Sequence, residues 1–206
     1  MSITLIIVVA TVLISFAAWN NGNIYYGMMM NPYEIFKQNQ YWRLLTSGFI
    51  HSGYVHLGFN MFTFYFFGSV VEIIFHQVLG DGGSLVFILF YLSAIIVSDL
   101  PTAIQNRKFP GYNSLGASGA VSAMVFASII YLPLNKICLF AIFCLPGFIL
   151  GTLYIIYSYT QSKSLSDNIN HQAHLYGAIY GIIIAIVIYP PAALEFFEKV
   201  LSYRPF

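Results

Sequence analysis

The sequence predicts an all-α membrane protein: a bundle of six transmembrane helices folded as one domain over residues 1–206. Two observations carry that prediction. Of the 206 residues, 59% are hydrophobic and only 7% are charged, far below the quarter expected of a water-soluble domain. Apolar stretches near 1–19, 53–76, 83–99, 115–133, 137–158 and 171–190 each approach the roughly 20 residues that a helix needs to cross a bilayer.

The first stretch, MSITLIIVVATVLISFAAWNN, contains FAA, which resembles a signal-peptide cleavage site. It lacks a basic leader, so an uncleaved first spanning helix is expected. Residues 20–52 are long for a helix connection and mix YYGMMM and YW with polar residues, which predicts structure of their own near the membrane interface. LGDGG at 79–83 separates the second and third stretches, and LPLNK at 132–136 the fourth and fifth. The most polar segment, SYTQSKSLSDNIN at 158–170, precedes the sixth. Cys138 and Cys144 lie six residues apart in the fifth stretch, would diverge on a helix and match no metal or redox spacing, so both read as buried packing.

Charge narrows the partners. Eight Lys and Arg against seven Asp and Glu give a net charge of +1, with no basic patch to follow phosphates, which argues against a nucleic-acid partner. With a cytoplasmic N-terminus, the inside segments would hold Lys136, Lys199 and Arg204, and the outside loops Lys37, Arg43, Arg107, Lys108 and Lys163. That balance favours the opposite orientation.

Ionisable and polar residues inside a membrane are expensive and so point to function. The second stretch and its entry carry His51, His56, Asn60 and Glu72, with His76 at the far end; the fourth carries Ser118 and Ser122; the sixth carries His171 and His174. His56 and Asn60, four residues apart, share a helix face. They fit either two hydrogen-bond donors for a developing oxyanion or polar glue between helices. Ser118, in GASG at 116–119, fits either a helix contact or a nucleophile reachable at a helix start, where backbone N–H groups are unpaired. His174, in AHLYGAIYG, fits either packing or a general base, since a buried neutral histidine can accept a proton. Gly177 and Gly181 make a G-x-x-x-G stripe on the face of His174, so the small residues of the fourth and sixth helices are expected to meet and bring Ser118 to His174. No carboxylate adjoins either histidine in sequence, so a serine hydrolase here would use a Ser-His dyad. Glu72 reads as structural, paired with backbone or an end-of-helix donor, and His171 as a residue at the water boundary.

Together, HSGYVHLGFNMFTFYFFGSVVE (51–72), GASG (116–119) and AHLYGAIYG (173–181) resemble the rhomboid family of intramembrane serine proteases. The family's histidine pair, Asn, Phe-Gly and Glu match His51, His56, Asn60, Phe67, Gly68 and Glu72. Its nucleophile motif falls on Gly116, Ser118 and Gly119, its histidine motif on Ala173, His174, Gly177 and Gly181, and Trp42 and Arg43 match its entry to the second helix. Where many members place an aromatic ring one turn after the nucleophile, this chain has Ser122.

The resemblance implies a six-helix rhomboid-like bundle in which Ser118 is nucleophile and His174 general base. His56, Asn60 and the Ser118 backbone N–H form the oxyanion site, supported by His51, Gly116, Gly119, Gly177 and Gly181. It implies hydrolysis of peptide bonds in or next to transmembrane segments of protein substrates, with no metal or cofactor, in a multi-pass protein of a bacterial plasma membrane. Residues 158–170 would cap the site and the fifth helix, with Pro146 and Gly147, would gate it. A catalytically inactive rhomboid-like protein that binds and escorts transmembrane helices is the alternative. A proton-relay transporter would need membrane acids, for which the sequence offered Glu72 alone.

Overall fold

The computed structural model describes residues 2–139, 142–163 and 169–204, and helices dominate it. Helix α1 (Ile3–Trp19) opens on Ser2, whose hydroxyl accepts the Leu5 N–H. Glu72 completes that start as the sequence suggested: its carboxylate accepts the N–H groups of Ile3 and Thr4, at 2.7 and 2.9 Å, and the Thr4 hydroxyl. A carboxylate at unpaired N-terminal N–H groups is favourable both as acceptor and as charge.

The long first connection does carry its own structure, in α2 (Gly22–Met28), α3 (Pro32–Lys37) and α4 (Arg43–Thr46). Arg43 clamps it from within, donating to the carbonyls of Tyr26 and Met29. Helices α5 (Tyr54–Leu79) and α6 (Gly83–Asn106) follow, joined by a turn at Gly80–Gly82. Next come α7 (Ser118–Tyr131), a hairpin of β1 (Lys136–Leu139) and β2 (Phe143–Pro146), α8 (Gly147–Gln161), α9 (His171–Ile188) and α10 (Pro191–Ser202). By length and apolar composition, the run Tyr54–Asn106 and α9 suffice to cross a membrane; α1 and α7 are apolar but shorter.

Three expectations need correction. The third stretch does not stop at 99: α6 runs through Pro101 to Asn106, which puts Asp99 inside a buried helix face and makes it a second membrane acid beside Glu72. The fifth helix starts at Gly147 and not at 137, because β1 (Lys136–Leu139) pairs with β2 (Phe143–Pro146) in antiparallel register. In that register Cys138 faces Cys144 and the two are joined by a disulfide, so they are not packing residues on a helix. Pro146 and Gly147 accordingly mark where α8 begins. Of the polar connection 158–170, residues 164–168 lie outside the described residues.

Helix α7 is the centre. Twelve of its fourteen residues are buried, the exceptions being Ser118 and Val125. It packs most extensively against α9, and also against α5, α6 and α8. The α7–α9 contact is backbone on backbone: a Cβ at Gly177 would strike the carbonyl of Gly119, and one at Gly181 the carbonyl of Ala123. Helix α8 is held more lightly, burying only Gly147, Gly151 and Ser158.

Because no side-chain rotation relieves a clash with backbone, Gly181→Val is expected to destabilise by about 1–3 kcal/mol or more. Gly58→Ala, whose Cβ would meet nothing within 4 Å, should leave stability unchanged or raised. Thermal unfolding of both variants in detergent checks this contrast.

Candidate active site

Ser118 is the first residue of α7, and this position decides what its hydroxyl can do. Serines inside helices usually bond back to a carbonyl one turn earlier. Ser69, Ser93, Ser98 and Ser128 do so here, to Tyr65, Leu89, Ile95 and Val125. Ser118 has no preceding turn of its own helix, and its Oγ lies 2.8 Å from Nε2 of His174, on α9. The close approach of the two helices sets that distance.

The loop before Ser118 is held by the first connection. Met30 and Ser114 exchange two backbone hydrogen bonds of 3.0 Å, and the Gly116 N–H donates to the Ser47 carbonyl at 2.9 Å. Gly116 has φ +114°, a conformation side chains resist, and a Cβ there would meet the His56 ring at 2.6 Å. Its neighbour Ala117 donates its N–H to Nε2 of His51, at 3.3 Å. An N–H can only donate, so His51 carries its proton on Nδ1 and gives it to Ser15 Oγ, 3.1 Å away. The Ser15 hydroxyl passes its own proton to the Phe49 carbonyl. His51, fully buried, is thus a bracket that fixes the backbone beside Ser118.

The same logic applies to His56. Its Nδ1 faces the Ser52 N–H and hydroxyl, at 3.4 and 3.0 Å. Accepting from that N–H leaves the proton on Nε2, the atom that lies against Gly116. Asn60 is buried on the same helix face, and its carboxamide donates to the His56 carbonyl at 2.9 Å. One of its N–H groups is therefore engaged within α5. His56 also packs edge-on against His51, with ring centroids 4.9 Å apart.

Gly119 lies between Ser98 of α6 and the Ala173 carbonyl of α9, with no room for a Cβ. Gly177 and Gly181 make the helix contact described above. His171, the first residue of α9, is buried by its neighbours, with its ring edge-on to His174 at 5.8 Å. No group of three or more His, Cys, Asp or Glu arranged to hold a metal occurs among the described residues. A surface groove of about 520 Å³ lies at the other end of α5 against Ser2, Glu72 and His76, and contains none of these residues.

One residue escaped the sequence reading. The aromatic ring missing at Ser122 arrives from another helix: Tyr154 of α8 stacks on His174, 6.3 Å between centroids and 23° between planes. Ser122 holds the same histidine from behind, donating to the His174 carbonyl at 2.9 Å, with the Tyr154 hydroxyl 3.5 Å from its Oγ. The spacing of α7 alone carries no sign of this, because the ring and the serine sit on different helices.

Two outcomes follow from the geometry. Tyr154→Ala should slow covalent modification of Ser118 by an acyl- or phosphonyl-transfer reagent, about tenfold, while Tyr154→Phe keeps the ring and the rate. His51, outside the spanning helices, has its pKa pushed down to about 3 by burial and then by the neighbouring His56. Its unfolded form binds a proton below about 6.5 and its folded form does not. The stability it contributes is therefore complete above about 6.5 and lost as pH falls toward 3. Tm should drop between pH 7.5 and 5, and His51→Gln should flatten that slope.

Comparison with known proteins identifies the family. Residues 38–191 match the family model of the Rhomboid domain. The chain is 30% identical over 169 residues to the rhomboid protease GluP of Bacillus subtilis, covering 82% of this chain and 30% of that protein. It is 29% identical over 170 residues to RHOMBOID-like protein 12, mitochondrial, of Arabidopsis thaliana, covering 75% and 50%. With RHOMBOID-like protein 4 of the same plant the identity is 26% over 163 residues, covering 75% and 36%. The chain thus spans between 30% and 50% of the length of these relatives. The match runs over most of the chain and includes both helices that carry the serine and the histidine, so the chain belongs to the rhomboid family of membrane-embedded proteins.

Proposed function

We propose that this chain is an intramembrane serine protease that hydrolyses peptide bonds in or next to transmembrane segments of other membrane proteins. The observation that carries the reading is the 2.8 Å separation of Ser118 Oγ and His174 Nε2. A serine hydroxyl is a poor nucleophile until a base takes its proton, and this distance is within hydrogen-bond reach of one.

In the proposed reaction Ser118 Oγ bonds to the scissile carbonyl carbon as its proton passes to His174. The imidazolium then gives that proton to the departing amine, and the C–N bond breaks to leave an acyl-serine. Water attacks the acyl group with His174 again as base, releasing the new carboxyl terminus and restoring Ser118. The oxyanion formed in each half would be met by the Ser118 N–H at the start of α7, the Nε2–H of His56 and the carboxamide of Asn60. The closeness of His56 to Gly116 supports this assignment. No metal or cofactor enters these steps.

A single membrane domain with six crossings, by α1, α5, α6, α7, α8 and α9, is part of the proposal. Helix α7, with 14 residues, is only about 21 Å long against a hydrocarbon core of about 30 Å. If its C-terminal end reaches one interface, Ser118 lies some 9 Å below the other. Irregular backbone at that depth is tolerated where it lines a polar cavity, which suits the loops converging on Gly116. The Bacillus relative supports a bacterial plasma membrane as the location, whereas the mitochondrial plant relative would suit an organelle.

The test is labelling of the purified chain in detergent with a fluorophosphonate, followed by incubation with a transmembrane substrate. Wild type should be labelled at Ser118 and should cleave; Ser118→Ala and His174→Ala should each lose both by at least about a hundredfold. A folded wild type that is neither labelled nor active would support a helix-binding escort instead.

A further inference from the structure

Glu72 and Asp99 are the buried carboxylates among the described residues, and only Glu72 is accounted for above, at the start of α1. Asp99 lies on the buried face of α6, in a position where an unassigned acid calls for a partner. Its partner is Asn170. The Asn170 Nδ2 donates to Asp99 Oδ1 at 3.1 Å. On its other side Asn170 is the N-cap of α9, with Oδ1 accepting the Ala173 N–H at 3.1 Å and the Thr102 hydroxyl at 3.0 Å. Its backbone carbonyl accepts the N–H of His174 itself, at 3.3 Å.

A carboxamide can be turned either way, and the carboxylate decides which. With the opposite flip, Oδ1 would face Asp99 and the amino group would face the Ala173 N–H, setting acceptor against acceptor and donor against donor. Asp99 therefore selects the state of Asn170 that caps α9. The neighbouring residue Ser98 lies directly beneath Gly119, adjacent to Ser118. One turn of α6 thus underlies both members of the Ser118–His174 pair.

We propose that Asp99 is a positioning residue, acting through Asn170 to fix the first turn of α9 and with it the angle at which His174 faces Ser118. This rests on the proteolytic reading of Ser118 and His174. It supplies an orienting carboxylate through the helix cap.

The experiment measures fluorophosphonate inactivation of the full chain in detergent, separating the maximal rate kinact from the binding constant KI, with Tm measured in parallel. Asn170→Asp opposes two carboxylates and should lower kinact by about tenfold to a hundredfold with KI little changed. Asp99→Leu should do the same. In the double variant Asp99→Asn with Asn170→Asp, the pair is rebuilt in reverse: residue 99 becomes the donor and residue 170 an aspartate, which caps a helix as well as asparagine. Its kinact should return to within about threefold of wild type. A folded Asp99→Leu or Asn170→Asp with wild-type kinact and only a lowered Tm would overturn the proposal, as would a folded double variant that stays slow. Wild type that is not labelled at all would overturn the protease reading and this inference together, whereas normal wild-type labelling with unaffected variants overturns this inference alone.

Discussion

The closeness of two backbones, those of α7 and α9, is the constraint on which the rest of the structure depends. Glycines at 177 and 181 leave no space that a methyl group could occupy, so the interhelical distance is set by main-chain atoms. In a bilayer, burying apolar surface between helices gains little, because lipid is equally apolar; close packing and interhelical hydrogen bonds have to hold the bundle. The distribution of side chains follows that rule. Thr4, Thr11, Ser15, Ser122, Ser128 and Ser158 are buried, while Leu13, Phe59, Phe62, Leu89, Ile156 and Val187 face outward. Small polar side chains set among apolar ones such as Phe64, Phe87 and Met124 leave a reactive serine–histidine pair compatible with its surroundings.

Distance alone does not orient a pair, and the structure spends its polar residues on orientation. Ser118 is fixed by the loop before it, which is tied to the first connection through Met30, Ser47 and His51. Among the described residues, His174 is held by Asn170 at the start of its helix, by the Ser122 hydroxyl on its carbonyl, and by the Tyr154 ring over its imidazole. The Ser122 bond ties α7 directly to α9, while Tyr154 reaches His174 from α8 and the first connection holds the loop before Ser118. This arrangement keeps the 2.8 Å contact independent of small movements in any single loop.

How much of this could be read from the sequence depended on whether the signal was local. The pairing of Ser118 with His174, and of the glycine stripe with GASG, was legible because small residues at helical spacing imply a face, and two such faces imply a contact. That Glu72 pairs with backbone was legible because a lone membrane acid needs donors, but that the donors are the first N–H groups of α1 was not. Asp99 was missed because an Asp-Leu-Pro sequence reads as the end of a helix, whereas α6 continues through Pro101 to Asn106. The β-hairpin was missed because a short apolar run fits a strand as well as a helix. Its two cysteines become partners only in the antiparallel register. Tyr154 was invisible because its role depends on which face α8 turns to α9, and that face is set by tertiary packing.

The relocation of the aromatic ring from α7 to α8 changes what α8 can control. A ring on α7 would be rigidly linked to the serine, because α7 is the most enclosed helix in the bundle. Tyr154 instead stands on a helix that buries only Gly147, Gly151 and Ser158, and a Cβ added at either glycine would come no nearer than 3.1 Å to the Phe126 and Ile129 side chains. Any outward shift of α8 therefore withdraws the ring from His174 while the Ser122 bond to the His174 backbone remains, since that bond joins α7 to α9. The backbone of the histidine stays in place and its imidazole alone gains freedom. In this chain the position of α8 is thereby coupled to the orientation of His174, a link that a ring carried by α7 would not create.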